Sequence, residues 1–207
     1  LFMYEFNDLN SEEFKFESSE ILILNDGNLV KATGKVKAIS KDGLLIAGEE
    51  TNYYKASSIL KIKNNVVIED KKKKIKIFAN EVVYYRKKEI IKIYDQVTIE
   101  DNIKGIIINA NEVIYNRNKD TFNISKDVKV KDNSENIIIE AQKINYDRKK
   151  EIIDLNKNIF IDDKSKNIKI TSEQITYNKF KNIISSNNKA TSNIENKYII
   201  ESKDLVF

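Results

Sequence analysis

The residues best able to do chemistry in this chain are its carboxylates and tyrosines, because histidine and cysteine are absent. That absence excludes metal sites of the usual nitrogen and sulfur type and most nucleophile–base pairs. Neighbouring carboxylates such as Glu49-Glu50 and Asp162-Asp163 could in principle divide acid and base roles. Both fall where turns or strand starts are expected, and there the default state of a carboxylate is solvated and ionised. No glycine-rich loop is available to cradle a phosphate. The chain reads as a binding or transport scaffold with no catalytic residues, no metal and no cofactor.

The tyrosines are informative for a different reason. Tyr53, Tyr84, Tyr115, Tyr146 and Tyr177 recur every 31 residues, with Phe207 close to the next expected position. A fixed period of this size marks a repeat architecture, in which each unit buries its apolar face only by stacking on its neighbours.

With the copies aligned, the positions become chemical columns. One reads Ile75, Ile106, Ile137 and Ile168. The next reads Ile77, Ile108, Ile139 and Ile170, and a third Ala79, Ala110, Ala141 and Ser172. Alternating β-branched residues predict strands with one buried face. After the alanine the parity slips, since Ile77 and Ala79 are odd while Val82 and Tyr84 are even. Keeping both sets inward calls for one extra residue near Asn80-Glu81, Asn111-Glu112 and Gln142-Lys143, as a β-bulge or bend, or for a turn that breaks the strand in two.

After each tyrosine come Arg86-Lys87-Lys88, Arg117-Asn118-Lys119, Arg148-Lys149-Lys150 and Lys179-Phe180-Lys181, which read as exposed connections. A second strand follows, with inward columns through Ile91, Phe122 and Ile153, through Ile93, Ile124 and Leu155, and through Val97, Val128 and Ile159. Polar turns such as Asp132-Asn133-Ser134 close each unit. Two antiparallel strands per repeat predict roughly 13 or 14 strands in all, and no segment has a sustained helical period. A parallel solenoid is the alternative, but its corners are usually glycine-rich and this chain has only 5 glycines. The fold expected is therefore all-β, a twisted antiparallel β-jelly roll built from 31-residue two-strand repeats.

The remaining composition narrows the partners. The formal charge of +4 is spread over interspersed acidic and basic residues, without the clustered basic and aromatic residues of a nucleic-acid surface. The run Lys71 to Lys74 falls at an expected turn. No segment approaches about 18 consecutive apolar residues, the length of a membrane helix. Residues 1–13 are expected to form a poorly ordered lead-in and residues 14–207 a single repeat domain, interrupted at its C-terminal end.

The inward columns suffice as an ordinary core, since burying a Val or Ile contributes about 1.5–3 kcal/mol. They would equally line an apolar groove for acyl chains, with the tyrosine hydroxyls wet at its rim.

Three copies, IFANEVVYYRKKEIIKIYDQVTIED, INANEVIYNRNKDTFNISKDVKVKD and IEAQKINYDRKKEIIDLNKNIFIDD, carry Ala-x-Glu-x-x-Tyr or close variants of it. They also carry a later step at Asn65-Val66, Gln96-Val97, Asp127-Val128 and Asn158-Ile159. In these features the chain resembles the OstA-like domain of lipopolysaccharide-transport proteins of the LptA type, from about Phe14 to its end. The opening FKFESSEILILNDGNLVKATGKVKA is most similar to the N-terminal periplasmic domain of LptD. The resemblance implies a periplasmic jelly roll, at the outer-membrane face of a Gram-negative cell, that shields the acyl chains of lipid A. It implies head-to-tail pairing with other Lpt jelly rolls through edge strands and, for an LptD type, an outer-membrane barrel on the same chain. The groove candidates it implies are Ile77, Ile108, Ile139, Val113, Ile144, Tyr84, Tyr115, Tyr146, Phe122 and Ile124. The competing readings are a structural β-repeat protein with a packed, dry core, and an adaptor that uses only its edge strands.

The parity slip makes its own prediction. Deleting Asn111 should throw Val113 and Tyr115 to the outer face and unfold the middle of the stack, read as loss of the cooperative thermal transition. Unchanged stability would overturn the inward assignment.

Overall fold

The computed structural model describes residues 2–4, of these the backbone only, together with 14–203 and 205–206. It divides into two compact units, Leu1–Ile103 and Lys104–Phe207. Apart from residues 2–4, the expected lead-in lies outside the described residues, as does Phe207.

The first unit contains β1 (Phe2–Tyr4), β2 (Phe14–Ser18), β3 (Glu20–Leu24), β4 (Leu29–Ser40), β5 (Leu44–Tyr54), β6 (Ile59–Asp70), β7 (Ile75–Tyr85) and β8 (Ile90–Asp101). The second contains β9 (Ile106–Asn116), β10 (Thr121–Asp132), β11 (Ile137–Asp147), β12 (Ile152–Asp163) and β13 (Ile168–Asn178). Four short strands follow, β14 (Ile183–Ser186), β15 (Ala190–Ile194), β16 (Tyr198–Ser202) and β17 (Leu205–Val206). Among the described residues the only helical element is one 3-10 turn, Arg86–Lys88. From β4 to β8 and from β9 to β13, each strand pairs antiparallel with the next, as the 31-residue period predicts. The strand count exceeds 13 or 14 because the terminal copies break up. β2 and β3 both pair with β4, and β14 and β15 both pair with β13.

The parity slip is real, but the residue that produces it lies on the other strand. Ile75, Ile77, Ala79, Val82 and Tyr84 are all buried along an unbroken β7. The insertion sits on β6, where Asn64 and Asn65 lie between the paired positions Lys63↔Glu81 and Val66↔Ala79, against one residue of β7. Both have positive φ, as do Gly34-Lys35, Asp95-Gln96, Lys126-Asp127 and Lys157-Asn158 at the matching places of β4, β8, β10 and β12. The expected insertion at Asn80-Glu81, Asn111-Glu112 and Gln142-Lys143 is thereby corrected. Two successive left-handed residues turn the backbone sharply, and the neighbouring strand follows the bend without strain of its own.

The alanine column marks the same corner. Gly48 precedes Ala79 by one repeat, and a Cβ there would lie 2.5 Å from Ile62 Cγ2 and 3.1 Å from the Lys63 carbonyl. Only small side chains fit where the bulged strand approaches. Glycine is scarce because left-handed turn positions fall on Lys74, Glu89, Asp120, Asn136, Glu151, Asn167 and Asn182 instead.

The bends fold each sheet over on itself. In a flat sheet Asp132 would lie level with Ile168 through the chain of registers. Tyr177, nine residues along β13, would then be about 30 Å away. Instead the Tyr177 hydroxyl is 3.1 Å from Asp132. The first unit folds in the same way. Phe14 pairs with Ser40 at one end of the sheet, yet its ring centroid is 5.9 Å from that of Tyr84 at the other end. Each unit thus has two facing layers, with its core between them.

The bulge conformation can be tested at Lys157, which is exposed and has φ 66°. Replacement by Val should destabilise by about 1–2 kcal/mol through left-handed strain, whereas Lys157→Gly should not, both read by chemical denaturation.

Candidate functional site

All ten groove candidates are enclosed. Ile77, Ile139, Val113, Ile144, Tyr84, Tyr115 and Ile124 are 0% exposed, and Ile108, Tyr146 and Phe122 1%. Ile77 and Tyr84 belong to the first unit and the other eight to the second, where the registers bring them together. Phe122 lies opposite both Tyr115 and Tyr146. Its ring stacks on Tyr115 at 4.2 Å and 5° between planes, and on Tyr146 at 6.1 Å and 19°. Ile124 lies between Val113 and Ile144. Such a surface offers dispersion and exclusion of water, so the only chemistry it suits is holding apolar groups.

The interior is bounded by polar residues where the folded sheet meets itself. The turns that follow even strands meet the turns that follow odd strands about one and a half repeats later. Lys104 Nζ lies 2.5 Å from Glu151. Lys179 Nζ lies 2.6 Å from Asp132 Oδ2 and 2.6 Å from the Ser134 hydroxyl. Asn182 Nδ2 donates to Glu135 at 3.1 Å. Each pair is separated by 45 or 47 residues. In the first unit Arg86 approaches Asp42 at 3.9 Å in the same manner.

Asp132 gathers several hydrogen bonds at this seam. Its Oδ1 accepts from the Ser134 amide and hydroxyl and from the Glu135 amide, while Oδ2 accepts from Tyr177 and Lys179. Burial, and then the charge of Asp132, push the Tyr177 phenol far above its ordinary value, with Glu135 and Asp163 adding to the effect. Tyr115 donates to Asp120 at 3.1 Å, and Arg148 holds the other oxygen of that carboxylate at 2.8 Å. Tyr84 donates to Glu89 at 2.9 Å and accepts from Arg86.

Three expectations change here. The tyrosine hydroxyls of Tyr84, Tyr115 and Tyr177 are not wet at a rim but donate to carboxylates. The connections after the tyrosines are exposed at Lys87, Lys88 and Phe180, but Arg117 and Arg148 are buried. Asp163 is only 2% exposed and caps its own turn through the Lys166 amide, so its expected solvation fails, whereas Glu49 and Glu50 are exposed. The seam columns were present in the sequence, since Asp70, Asp101, Asp132 and Asp163 recur at 31 residues, as do Arg86, Arg117, Arg148 and Lys179. In the sequence they read only as connections and turns, because polar residues in turns are normally solvated. Shallow clefts of about 250 Å³ at Asn65–Asn80 and about 480 Å³ at Asn158–Thr191 lie at the bulges. Among the described residues no cluster of acidic side chains is placed to hold a metal ion.

Residues 35–160 match the model of the family described as lipopolysaccharide-assembly, LptC-related, which is more than half of the chain. The chain belongs to that family. A crystal structure of LptH from Pseudomonas aeruginosa, the LptA-homologous periplasmic component of its lipopolysaccharide transport device, is similar in fold. Its TM-score is 0.50 at 11% identity, over 56% of this chain and 83% of that one. That likeness gives the fold as the β-jelly roll expected from the repeats. No curated protein sequence matches. The family found is LptC-related, where the sequence resemblance was to the LptA type and, most of all, to LptD.

The Tyr177 network has a pH signature. A phenol raised in the folded state and ordinary, near pH 10, in the unfolded state contributes stability that is complete below about pH 10. It is lost as pH rises from there toward the folded value, because the unfolded state releases its proton first. Tyr177→Phe should therefore flatten the fall in unfolding free energy above about pH 10, measured by denaturant titrations at a series of pH values. An unchanged slope would show that Tyr177 does not carry it.

Proposed function

We propose that this LptC-related chain is a non-enzymatic periplasmic component of lipopolysaccharide transport that shields lipid A acyl chains between the two layers of its folded sheet. The observation that carries this reading is the membership of the LptC-related family by a chain whose repeats present an unbroken apolar lining. That lining runs through Ile108, Val113, Ile124, Ile139 and Ile144. An acyl chain in water is driven into such a surface by the same force that closes the core.

The exposed strands support assembly with other jelly rolls. β3 exposes Leu22, Ile23 and Leu24, and β16 exposes Tyr198, Ile199 and Ile200. Within their units, among the described residues, β3 pairs only with β4 and β16 only with β15. An apolar edge left open in this way suits the addition of a strand from another molecule.

A dry structural repeat is the second reading, favoured by the 4.2 Å stack of Tyr115 on Phe122, which leaves no room between those rings. Photo-crosslinking to purified lipopolysaccharide separates the two. A photoreactive residue replacing Ile108 should capture it and one replacing Ile107, on the opposite face, should not. Capture from neither position in a folded protein would favour the dry repeat.

A further inference from the structure

The two layers are held together differently from the strands within each layer. Neighbouring strands share backbone ladders of up to ten paired positions. The seam contacts at offsets of 45 and 47 residues are all between side chains. One of them differs in its exposure. Asp132 and Lys179 have side chains 0% and 8% exposed, and Asp132 is held by its own turn as well. Lys104 and Glu151 have side chains 22% and 23% exposed. Glu135 and Asn182 stand one repeat beyond them, at the equivalent places, without a cation.

Parting Lys104 from Glu151 by water alone loses this ion pair at a largely buried place, and an uncharged ligand does nothing to offset the loss. An anionic ligand does, because exchange of one anion for another keeps the ammonium paired. The group that could do this while its apolar part enters the interior is a lipid phosphate.

We infer that Lys104 is a headgroup station on the seam, where a phosphate of an acyl-chain lipid replaces Glu151 while the acyl chains lie between the layers. Glu151 is then an internal competitor that keeps the station closed when no lipid is present. The fully enclosed Asp132–Lys179 pair stays shut and holds the layers in register. The inference rests on the conduit reading above and adds which headgroup chemistry is selected, and where.

The two partners therefore have opposite roles, which a merely structural ion pair would not give. The test is capture of purified lipopolysaccharide from a photoreactive residue at Ile108, compared with the same material after enzymatic removal of its lipid A phosphates. Each is run with Lys104 and Glu151 intact, with Lys104→Gln, and with Glu151→Gln. Both substitutions are at half-exposed turn positions, and their thermal transitions are measured alongside.

Glu151→Gln should raise capture of the phosphorylated lipid and Lys104→Gln should lower it. Each change should be about fivefold or more, the low end of typical coupling between linked equilibria. Neither should alter capture of the dephosphorylated lipid. If both substitutions move capture in the same direction, or leave it unchanged, the station is overturned while the conduit stands. If the protein with Lys104 and Glu151 intact captures neither lipid, the conduit fails and the station with it.

Discussion

The inward set of β7 changes parity between Ala79 and Val82, and the sheet bends where that change falls. The bend is a pair of left-handed residues in every even strand from β4 to β12, set on β6 against a single residue of β7. The remaining architecture follows from it. The pair bends the sheet, the bend brings opposite turns together, and their meeting encloses the apolar columns. The cost is a residue-level strain of about 1–2 kcal/mol wherever the position is not glycine. The chain accepts this at Asn, Asp, Gln and Lys, and the Asn and Asp among them tolerate left-handed backbone better than most.

Closing the interior creates a second problem, because the turns that meet carry charges. The structure answers it by pairing. Tyr177 and Lys179 share Asp132, and Tyr115 and Arg148 share Asp120. Breaking such a pair by removing one partner leaves a buried charge uncompensated. The stabilising force comes from the isoleucine, valine and aromatic columns. Strands within a layer are thus joined by backbone ladders, and the two layers by packed side chains and these polar pairs.

That difference in contacts fits the role proposed for the LptC-related chain. A conduit for acyl chains has to be apolar inside and closed to water, yet separable along one line. Backbone ladders cannot serve as that line without loss of the sheet, while side-chain pairs can exchange partners. The open edges at β3 and β16 would meet the other requirement, continuity from one jelly roll to the next.

The all-β class, the antiparallel pairing and the inward columns were legible in the sequence because the 31-residue period superposes chemically identical positions. Ile77, Ile108 and Ile139 declare one face without any knowledge of the fold. The parity slip between Ala79 and Val82 was legible too, and only its location was mistaken, since burial alternation does not say which of two paired strands carries the extra residue. What the tertiary structure alone decided is the seam. Asp132 and Lys179 lie in separate turns, and nothing local relates them until the sheet folds and places them 2.6 Å apart. Local patterning reports the environment of a strand face, because that environment repeats with the backbone. Contacts between turns one and a half repeats apart depend on the sharp bends of several neighbouring strands acting together, and they do so only in the folded chain.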